Sequence, residues 1–203
     1  MKIGPKFKIA KRLGAPIFEK TQTQKFELSV ARRANNRRGG RPRQASDYKR
    51  QLNEKQKMRY TYGISERQFR RYVDEATARS TQPVTVLMER LESRLDNVVY
   101  RLGLAKTRQF ARQMVSHGHI CVNGRKYTIP SHRVRPGDVI SVREGSRNSG
   151  LFTDFADRHE PAAVPSWLKF DSKKLIGEMV AAPVYDPAGS LFDPEQVLEY
   201  YSR

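Results

Sequence analysis

The stretch SRLDNVVYRLGLAKTRQFARQMVSHGHICVNGR, residues 93–125, changes its hydrophobic period halfway along. Its first part continues an apolar stripe at helical spacing, and Thr107 is placed to cap a second, short helix. Asn123 and Gly124 then form the strongest short-range signal for a hairpin, and residues 139–143 alternate as a strand. This part of the chain is therefore predicted to form two helices packed on a short antiparallel sheet.

Helical patterns dominate on the amino-terminal side of this stretch. Ser46 can cap a helix that runs to about Tyr62, and Ser65 begins a second helix with a capping-box pattern. After Pro83, apolar residues recur at helical spacing as far as Leu102. We interpret this stripe as the core side of two consecutive helices.

The carboxy-terminal part carries weaker signals. Residues 167–170 and 175–180 are short strand candidates, and a last helix is expected to run from Pro194 to Tyr201. The fold class is accordingly predicted to be α+β. The predicted domains are a basic extension at 1–45, a helical domain at 46–92 with 144–203 packing nearby, and a small α/β module at 93–157.

The charge of the chain is high and unevenly distributed. The 203 residues include 39 Lys and Arg against 21 Asp and Glu, a formal net charge of +18. Residues 1–60 hold 18 basic and 4 acidic side chains, whereas residues 144–203 hold 6 and 10. Such a charge favours polyanionic partners through long-range attraction and counterion release. A nucleic acid and an anionic membrane surface both fit, so charge alone does not choose between them.

Several classes of protein and of site are excluded or disfavoured. No stretch offers the roughly 18 apolar residues that a membrane-spanning helix needs, and we expect no secretory signal. Cys121 is the single cysteine, which excludes an internal disulfide and a zinc site built from several cysteines; its apolar neighbours predict a small core residue. The four histidines show no metal-binding spacing, so neither a metal site nor a catalytic site is expected. The chain is predicted to be cytosolic.

Residues 30–45 are rich in arginine and almost lack large apolar side chains. They cannot bury enough surface to offset their ordering entropy, so we expect this segment to be disordered in the free chain. Arginine's planar guanidinium suits a segment that becomes ordered on a phosphate backbone, although a solvated tail is the alternative.

Three stretches, Ser93–Gly103, Thr107–Gln113 and Ile120–Arg125, resemble the small RNA-binding module named after the fourth protein of the small ribosomal subunit. That module also occurs in RNA-modifying enzymes and some synthetases, so by itself it implies RNA binding alone. Shorter stretches outside it resemble the helical domain and the two ends of the ribosomal protein itself, at 4–6, 46–48, 54–57, 62–69 and 199–203. The chain is therefore identified as a member of that ribosomal protein family.

The resemblance implies a non-enzymatic constituent of the small ribosomal subunit, in the cytoplasm of a bacterium, with an organellar ribosome left open. It implies binding of a helix junction in the 5′ domain of small-subunit ribosomal RNA (rRNA) early in assembly, and a contribution to translational accuracy. The fifth protein of the subunit, and mRNA where it enters the ribosome near Arg41 and Arg43, are the other implied partners. Many bacterial members hold zinc with four amino-terminal cysteines, and this chain has none before Cys121. It resembles the zinc-free branch, so we expect no cofactor and a first forty residues ordered by RNA.

The expected mechanism is electrostatic clamping, in which helix faces and the hairpin tip present basic side chains to phosphates and read RNA shape. The aromatic residues best placed to stack on bases are Tyr60 and Tyr62. The predicted RNA-binding residues ahead of the module are Arg41, Arg43, Lys49, Arg50, Lys55, Lys57, Arg67, Arg70 and Arg71. Those of the module are Arg94, Lys106, Arg108, Arg112, Asn123, Arg125 and Lys126.

Two other functions remain open at this point. Arg94-Leu95-Asp96 resembles a signature of pseudouridine synthases, in which the aspartate is the nucleophile. Here the aspartate lies on the apolar helical stripe, and too little chain follows for a catalytic domain, so an Asp96 that pairs with an arginine or caps a helix is the simpler interpretation. The other alternative is a stress factor that binds stalled large subunits through the same module, against which the matching flanks argue.

Overall fold

The chain divides into two units. The computed structural model describes residues 3–35, 46–152, 164–187 and 189–203. The first unit is Met1–Val84 together with Asp186–Arg203, and the second is Thr85–Tyr185. The predicted domains place all of 144–203 near the helical domain, whereas in the structure only the part from Asp186 onward joins the first unit.

In the first unit, the amino-terminal residues fold around an apolar cluster of their own. Helix α1 (Lys6–Leu13) ends at Gly14, whose φ of 71° is left-handed, and helix α2 (Gln24–Asn35) follows. Residues 30–35 are therefore helical, and the expectation of disorder is wrong for them; residues 36–45 lie outside the described residues. The physical reason is that α2 continues from an anchored start, because its Phe26 belongs to the buried cluster. That cluster consists of Ala10, Leu13, Ala15, Ile17, Phe18 and Phe26.

Two longer helices follow in the first unit. Helix α3 (Asp47–Tyr62) matches the prediction at both ends, and helix α4 (Glu66–Arg79) begins where the sequence predicts. Ser46 and Ser65 cap them, each hydroxyl accepting a hydrogen bond at 3.4 Å from the backbone N–H three residues further on. These caps explain why both starts are readable from sequence, since a cap is a local contact that satisfies an otherwise unpartnered N–H group.

The apolar stripe after Pro83 forms the predicted pair of helices, α5 (Pro83–Glu92) and α6 (Leu95–Arg101). Helix α7 (Arg108–Ser116) follows the predicted cap, in which the Thr107 hydroxyl accepts a hydrogen bond from the Phe110 N–H at 3.1 Å. The apolar faces of α6 and α7 belong to the core of the second unit. The helical half of the predicted module is thereby confirmed.

Five short strands form one antiparallel sheet in the second unit, in the order β2-β1-β3-β5-β4. The strands are β1 (Ile120–Val122), β2 (Arg125–Tyr127), β3 (Val139–Val142), β4 (Leu168–Asp171) and β5 (Ile176–Met179), with a short helix α8 (Glu144–Arg147) after β3. The hairpin and all the strand predictions are confirmed. The sheet packs against α6 and α7 through residues that include Ile120, Val122, Ile140, Val142 and Met179.

Strand β5 joins this sheet at a glycine. Gly177 is paired with Ile140 of β3, and a Cβ atom at Gly177 would lie only 2.6 Å from Cδ1 of Leu102. The missing side chain thus lets Leu102, which follows α6, pack directly on the sheet. Because of this pairing the sheet includes residues beyond position 157, where the predicted module ended.

Helix α9 (Pro194–Tyr201) completes the first unit and confirms the predicted last helix. The Asp193 carboxylate caps it by accepting a hydrogen bond from the Glu195 N–H at 2.9 Å. Aromatic edges join α9 and the residues before it to the helical domain. The ring centroids of Phe69 and Tyr201 are 6.0 Å apart, and those of Tyr62 and Phe192 are 6.1 Å apart. With helices in both units and a sheet in the second, the α+β class is confirmed.

Candidate nucleic-acid interface

A buried carboxylate at the start of α6, that of Asp96, binds two arginines. Asp96 accepts hydrogen bonds from Nε and Nη2 of Arg94 at 3.0 and 2.8 Å, and from Nε and Nη2 of Arg112 at 2.9 and 2.7 Å. The side chain of Asp96 is 4% exposed and that of Arg112 is 27% exposed, whereas Arg94 is buried. The arrangement holds one guanidinium in the interior and another at the surface. It also confirms the simpler interpretation of Asp96 as an arginine partner.

A second carboxylate, Glu92, organises the neighbouring pair. Arg101 donates from Nε and Nη2 to the two Glu92 oxygens at 2.8 and 2.9 Å. The Asn97 amide donates to Glu92 at 2.8 Å, and its oxygen accepts a hydrogen bond from Nε of Arg108 at 2.8 Å. The Arg108 guanidinium also lies over the Tyr100 ring, 4.4 Å from its centroid. Asp96 thus binds Arg94 and Arg112, and Glu92 binds Arg101 directly and Arg108 through Asn97. We call these four residues, Arg94, Arg101, Arg108 and Arg112, the arginine cluster.

Basic groups lie before α7, on its first two turns and beyond its end. Lys106 is exposed just before the helix, and Arg108 and Arg112 lie one turn apart, partly exposed. Both arginines also reach back to side chains of α6, Arg108 to Asn97 and Arg112 to Asp96. Lys126 of β2 lies beyond the far end of α7, where a Cβ atom at Gly118 would meet its Cε atom at 2.1 Å. Since nine residues of helix span about 14 Å, these groups form a row rather than a single point.

The hairpin contributes two exposed basic residues and one residue that serves the fold. Arg125 and Lys126 are exposed on the edge strand β2. Asn123 donates from its amide to Asp138 at 2.8 Å, and its oxygen accepts a hydrogen bond from the Val139 N–H at 2.9 Å. The structure therefore uses the Asn123 side chain to tie the hairpin to the start of β3.

The predicted basic residues of α3 differ in their surroundings. Lys49 and Arg50 are exposed, and Arg50 pairs with Asp47 on the same helix. Lys57 lies 2.6 Å from the Glu54 carboxylate in a largely buried pair. The two ion pairs offset part of the positive charge that α3 presents.

Lys55 is held inside the first unit. Its Nζ atom lies 2.8 Å from Glu66 and 4.6 Å from the centroid of the Tyr200 ring, and the Tyr201 hydroxyl donates to the same Glu66 oxygen at 2.6 Å. Burial raises the pKa of the Glu66 carboxyl, but hydrogen bonds from Lys55 and Tyr201 outweigh it, and the pKa lies below its usual 4.5. Burial, and then the bond to Glu66, raise the pKa of the Tyr201 hydroxyl. Lys55 thus fastens α9 to α3 and α4.

Helix α4 presents a simpler basic surface. Arg67, Arg70 and Arg71 are all exposed, on consecutive turns at its start. Arg41 and Arg43 lie outside the described residues. The exposed arginines of α4 are therefore the clearest phosphate candidates among the predicted set of the first unit.

The predicted set omits a basic groove between α1 and α3. The groove has a volume of about 830 Å³, and its lining includes Lys8, Lys11 and Arg12 of α1 together with Lys49 of α3. A signal for it exists in the sequence, because positions three or four apart lie on one side of a helix. The sequence prediction misses this signal because it expects RNA, and not a helix, to order the first forty residues. Without a predicted helix, the three- and four-residue spacing of the basic residues has no structural meaning.

The aromatic candidates are only partly available for stacking. Tyr62 is buried against Phe192, so the stacking prediction fails for it in this structure. Tyr60 is partly buried, with its ring centroid 6.2 Å from that of Phe18. Tyr48, whose residue is 50% exposed, offers more open surface than either.

Other features bear on the remaining predictions. Cys121 is buried, which confirms it as a core residue. Among the described residues, no group of three or more His, Cys, Asp or Glu side chains could hold a metal ion. No helix in the described ranges has the length and apolar character needed to cross a membrane.

Comparisons with known proteins cover both units. The sequence profile of the ribosomal protein S4/S9 N-terminal domain matches residues 1–93, and the profile of the S4 domain matches residues 93–140. The second match contains α6, α7 and the hairpin, which carry most of the arginine cluster. Together the two profiles span most of the chain.

Relatives that align with nearly the whole chain belong to the same ribosomal protein family as the first of the two profiles. The chain is 44% identical over 202 residues to the small ribosomal subunit protein uS4 of Persephonella marina, covering 98% of each chain. It is 42% identical over 201 residues to the protein of that name from Akkermansia muciniphila, again covering 98% of each. It is 43% identical over 205 residues to the one from Chromobacterium violaceum, covering 99% of this chain and 98% of the relative. The chain therefore belongs to the small ribosomal subunit protein uS4 family.

Proposed function

We propose that the chain is a structural constituent of the small ribosomal subunit, that it binds small-subunit rRNA, and that it catalyses no reaction. The observation that carries the proposal is the arginine cluster, held by Asp96 and Glu92 beside the S4-domain helices. Guanidinium groups pair with phosphate oxygens through parallel hydrogen bonds, so a fixed set of them suits an RNA backbone. The name of the relatives supports the ribosomal assignment.

The basic surfaces of both units support recognition by phosphate contacts and shape. Lys106 and Arg112 lie on the second unit, and Arg67 and Arg70 lie on the first. Contacts of this kind position a protein on folded RNA without reading a sequence. Each phosphate neutralised releases counterions, so the affinity should fall steeply as salt is added.

The position of Asp96 supports the absence of an RNA-modifying activity. Its carboxylate accepts four hydrogen bonds from two guanidinium groups and is almost fully buried. A nucleophile must reach a base extruded from the RNA, and Asp96 could do so only by giving up these bonds. The pseudouridine synthase alternative is disfavoured on this ground.

The finer parts of the proposal follow from membership of the family. We propose that the RNA site is a helix junction in the 5′ domain, bound early in assembly in the cytoplasm of a bacterium. We also propose the fifth protein of the small subunit and mRNA, where it enters the ribosome, as neighbours, with Arg41 and Arg43 facing the mRNA. Translational accuracy would depend on the contact with the fifth protein.

The test is binding of the full chain to the isolated 5′ domain RNA across a salt series, with a scrambled junction as the control RNA. We expect tight, junction-dependent binding, with log K falling linearly against log salt by about 0.7 to 0.9 for each phosphate engaged. Equal affinity for the two RNAs would reduce the proposal to a generic basic RNA binder.

A charge-reversal pair locates the binding face. Arg108→Glu with Arg112→Glu is expected to lower junction affinity by about a hundredfold or more, because two attractive contacts become repulsive. The matched control is Lys173→Glu with Lys174→Glu, which makes the same change in net charge at two exposed residues of the second unit. If the control pair lowers affinity as much, the effect is one of net charge and the assigned face is wrong.

A further inference from the structure

Two acidic side chains lie within the most basic part of the second unit. Glu92 is 6% exposed and Asp96 is 4% exposed, whereas the arginines that they bind at the surface, Arg101 and Arg112, are 37% and 27% exposed. The guanidinium groups paired with these carboxylates offset their negative charge, and the hydrogen bonds of each pair fix cations at the surface. The RNA-binding assignment of the arginines leaves the role of the two acids unexplained.

The hydrogen bonds restrict each guanidinium in position and in plane. Arg112 uses Nε and Nη2 on one Asp96 oxygen, and Arg101 uses Nε and Nη2 on the two Glu92 oxygens. Two bonds to one carboxylate define both the location and the orientation of a planar group. Arginine is among the side chains with the most rotamer freedom to lose, and here the fold has already restricted that freedom before any ligand binds.

Asn97 extends the same device to a third arginine. Its amide donates to Glu92, which leaves the amide oxygen directed at Nε of Arg108. Tyr100 supports the other side of that arginine by lying under its guanidinium. Glu92 therefore acts directly on Arg101 and, through Asn97, on Arg108.

We infer that Asp96 and Glu92 are positioning residues for RNA binding: their buried carboxylates pre-orient Arg112, Arg101 and Arg108 for phosphate contacts, so that affinity for a polyanion depends on two acidic residues. The inference rests on the proposed function. To that function it adds a role for Asp96 and Glu92, two residues whose negative charge alone would disfavour RNA binding. It also accounts for the burial of the acids, because a pre-orienting carboxylate must lie behind the cation and away from the ligand.

For substitutions of the two acids, the inference predicts a change in RNA affinity opposite in sign to the change expected from net charge alone. Asp96→Asn and Glu92→Gln each add one unit of positive charge, and Coulomb attraction alone would then raise the affinity for RNA. Loss of pre-orientation lowers it instead. We expect either substitution to weaken binding of the full chain to the 5′ domain RNA by about three- to tenfold.

The control is Glu178→Gln, which removes an exposed acid of β5 in the same unit. Its affinity is expected to stay the same or to rise. A double-mutant cycle supplies a readout that a merely structural role would not move. In an Arg112→Ala background, Asp96→Asn is expected to change affinity by less than about twofold, because the group it positions is gone.

Asp96→Asn also removes the partner of the buried Arg94, so folding is checked through the fluorescence of the single, buried Trp167. If that variant does not fold, a cycle of Glu92→Gln in a background with both Arg101→Ala and Arg108→Ala carries the decision, because Glu92 positions both arginines. A third measurement, which needs no variant, is NMR relaxation of the arginine Nε–H groups in the RNA-free chain. Arg112 and Arg101 are expected to be rigid compared with the exposed Arg125.

Each outcome has one meaning. Weaker binding that vanishes in the arginine-to-alanine background, together with rigid arginines, supports the inference. Unchanged or tighter binding of the acid-to-amide variants, an equal loss in the alanine background, or arginines as mobile as Arg125 overturns it. Failure of the unchanged chain to bind the junction overturns the proposed function instead, and that result is distinguishable because it appears before any variant is made.

Discussion

Two ion pairs, Lys55–Glu66 in the first unit and Arg112–Asp96 in the second, bury opposite partners. In the first unit the cation is inside: Lys55 is 6% exposed, while its partner Glu66 is 44% exposed. In the second unit the carboxylate is inside, and Arg112 reaches the surface from a nearly buried Asp96. The first arrangement fastens a helix, because Glu66 also accepts a hydrogen bond from Tyr201 of α9. The second arrangement keeps positive charge at the surface, where a polyanion can meet it.

The difference follows from the chemistry of the two cations. Lysine carries a compact charge on a flexible apolar stem, so its stem can be buried and its ammonium can rest against the Tyr200 ring. Arginine carries a planar fork, so a carboxylate on one edge fixes the direction of the whole group. Basic residues of equal formal charge can therefore serve folding in one unit and, as we propose, RNA binding in the other.

The largest expected difference between the units concerns stability. Asp96→Ala leaves buried guanidinium groups without their carboxylate, and we expect the second unit to lose about 3–5 kcal/mol of unfolding free energy. Glu66→Ala is expected to cost less in the first unit, because the flexible stem of Lys55 can turn its ammonium toward water that enters at the half-exposed position of Glu66. Urea unfolding, followed by Trp167 fluorescence for the second unit and by amide exchange of α9 for the first, measures both. Equal losses would show that burial of the carboxylate does not distinguish the two pairs.

A smaller effect is expected for the hydroxyl that completes the Glu66 site. Tyr201→Phe keeps the ring packed on Phe69 and removes the hydrogen bond to the carboxylate. We expect a loss of about 1–2 kcal/mol in the opening free energy of α9, measured by amide hydrogen exchange. The control is Tyr48→Phe, at a half-exposed ring on the same helical unit, for which the loss should be smaller. A Tyr201→Phe variant as protected as the unchanged chain would contradict the role of the hydroxyl.

The same site predicts a dependence on pH. The pKa of Glu66 lies below its usual 4.5 in the folded chain, so its contribution to stability is present above pH 4.5 and is lost as pH falls through the folded pKa. The Tm of the unchanged chain should therefore decrease more steeply as the pH falls than the Tm of the Glu66→Gln variant. The difference in Tm between the two should shrink below about pH 4.5. A constant difference would mean that the folded site does not lower the pKa of Glu66.

The smallest effect on stability is expected at the exposed arginines of the first unit. Arg70→Ala should change the unfolding free energy by less than about 0.5 kcal/mol, since an exposed cation contributes little to folding. It should nevertheless lower the magnitude of the salt slope for RNA binding by about one, the value for one lost phosphate contact. An unchanged slope would remove Arg70 from the interface while leaving the comparison of ion pairs intact.

The sequence predicts local features of this fold well, because their causes are local. Ser46, Ser65 and Thr107 cap their helices through contacts three residues away, and the Asn123-Gly124 turn closes its own hairpin. The pairing of β5 with β3 is not readable in the same way, since it depends on Gly177 meeting Leu102 in three dimensions. Helices α1 and α2 are missed because the residues of their apolar cluster are scattered among many lysines and arginines.

The candidate site shows the same limit. Basic composition identifies the surface helices, but it does not separate Lys55 and Arg94, which are buried, from Lys49 and Arg70, which are exposed. The partner of Lys55 lies on the next helix, and the Tyr201 that completes the site is on the last helix of the chain. Only tertiary structure reveals which cations the fold has already used.

The most direct test of the account is chemical footprinting of lysines in the full chain, with and without the 5′ domain RNA. We expect Lys49 and Lys106 to lose reactivity when RNA binds, Lys55 to be unreactive in both states, and Lys169 and Lys173 of the acidic carboxy-terminal part to react equally in both. Protection of Lys169 and Lys173 with no protection of Lys49 and Lys106 would place the RNA on a different surface and contradict the account.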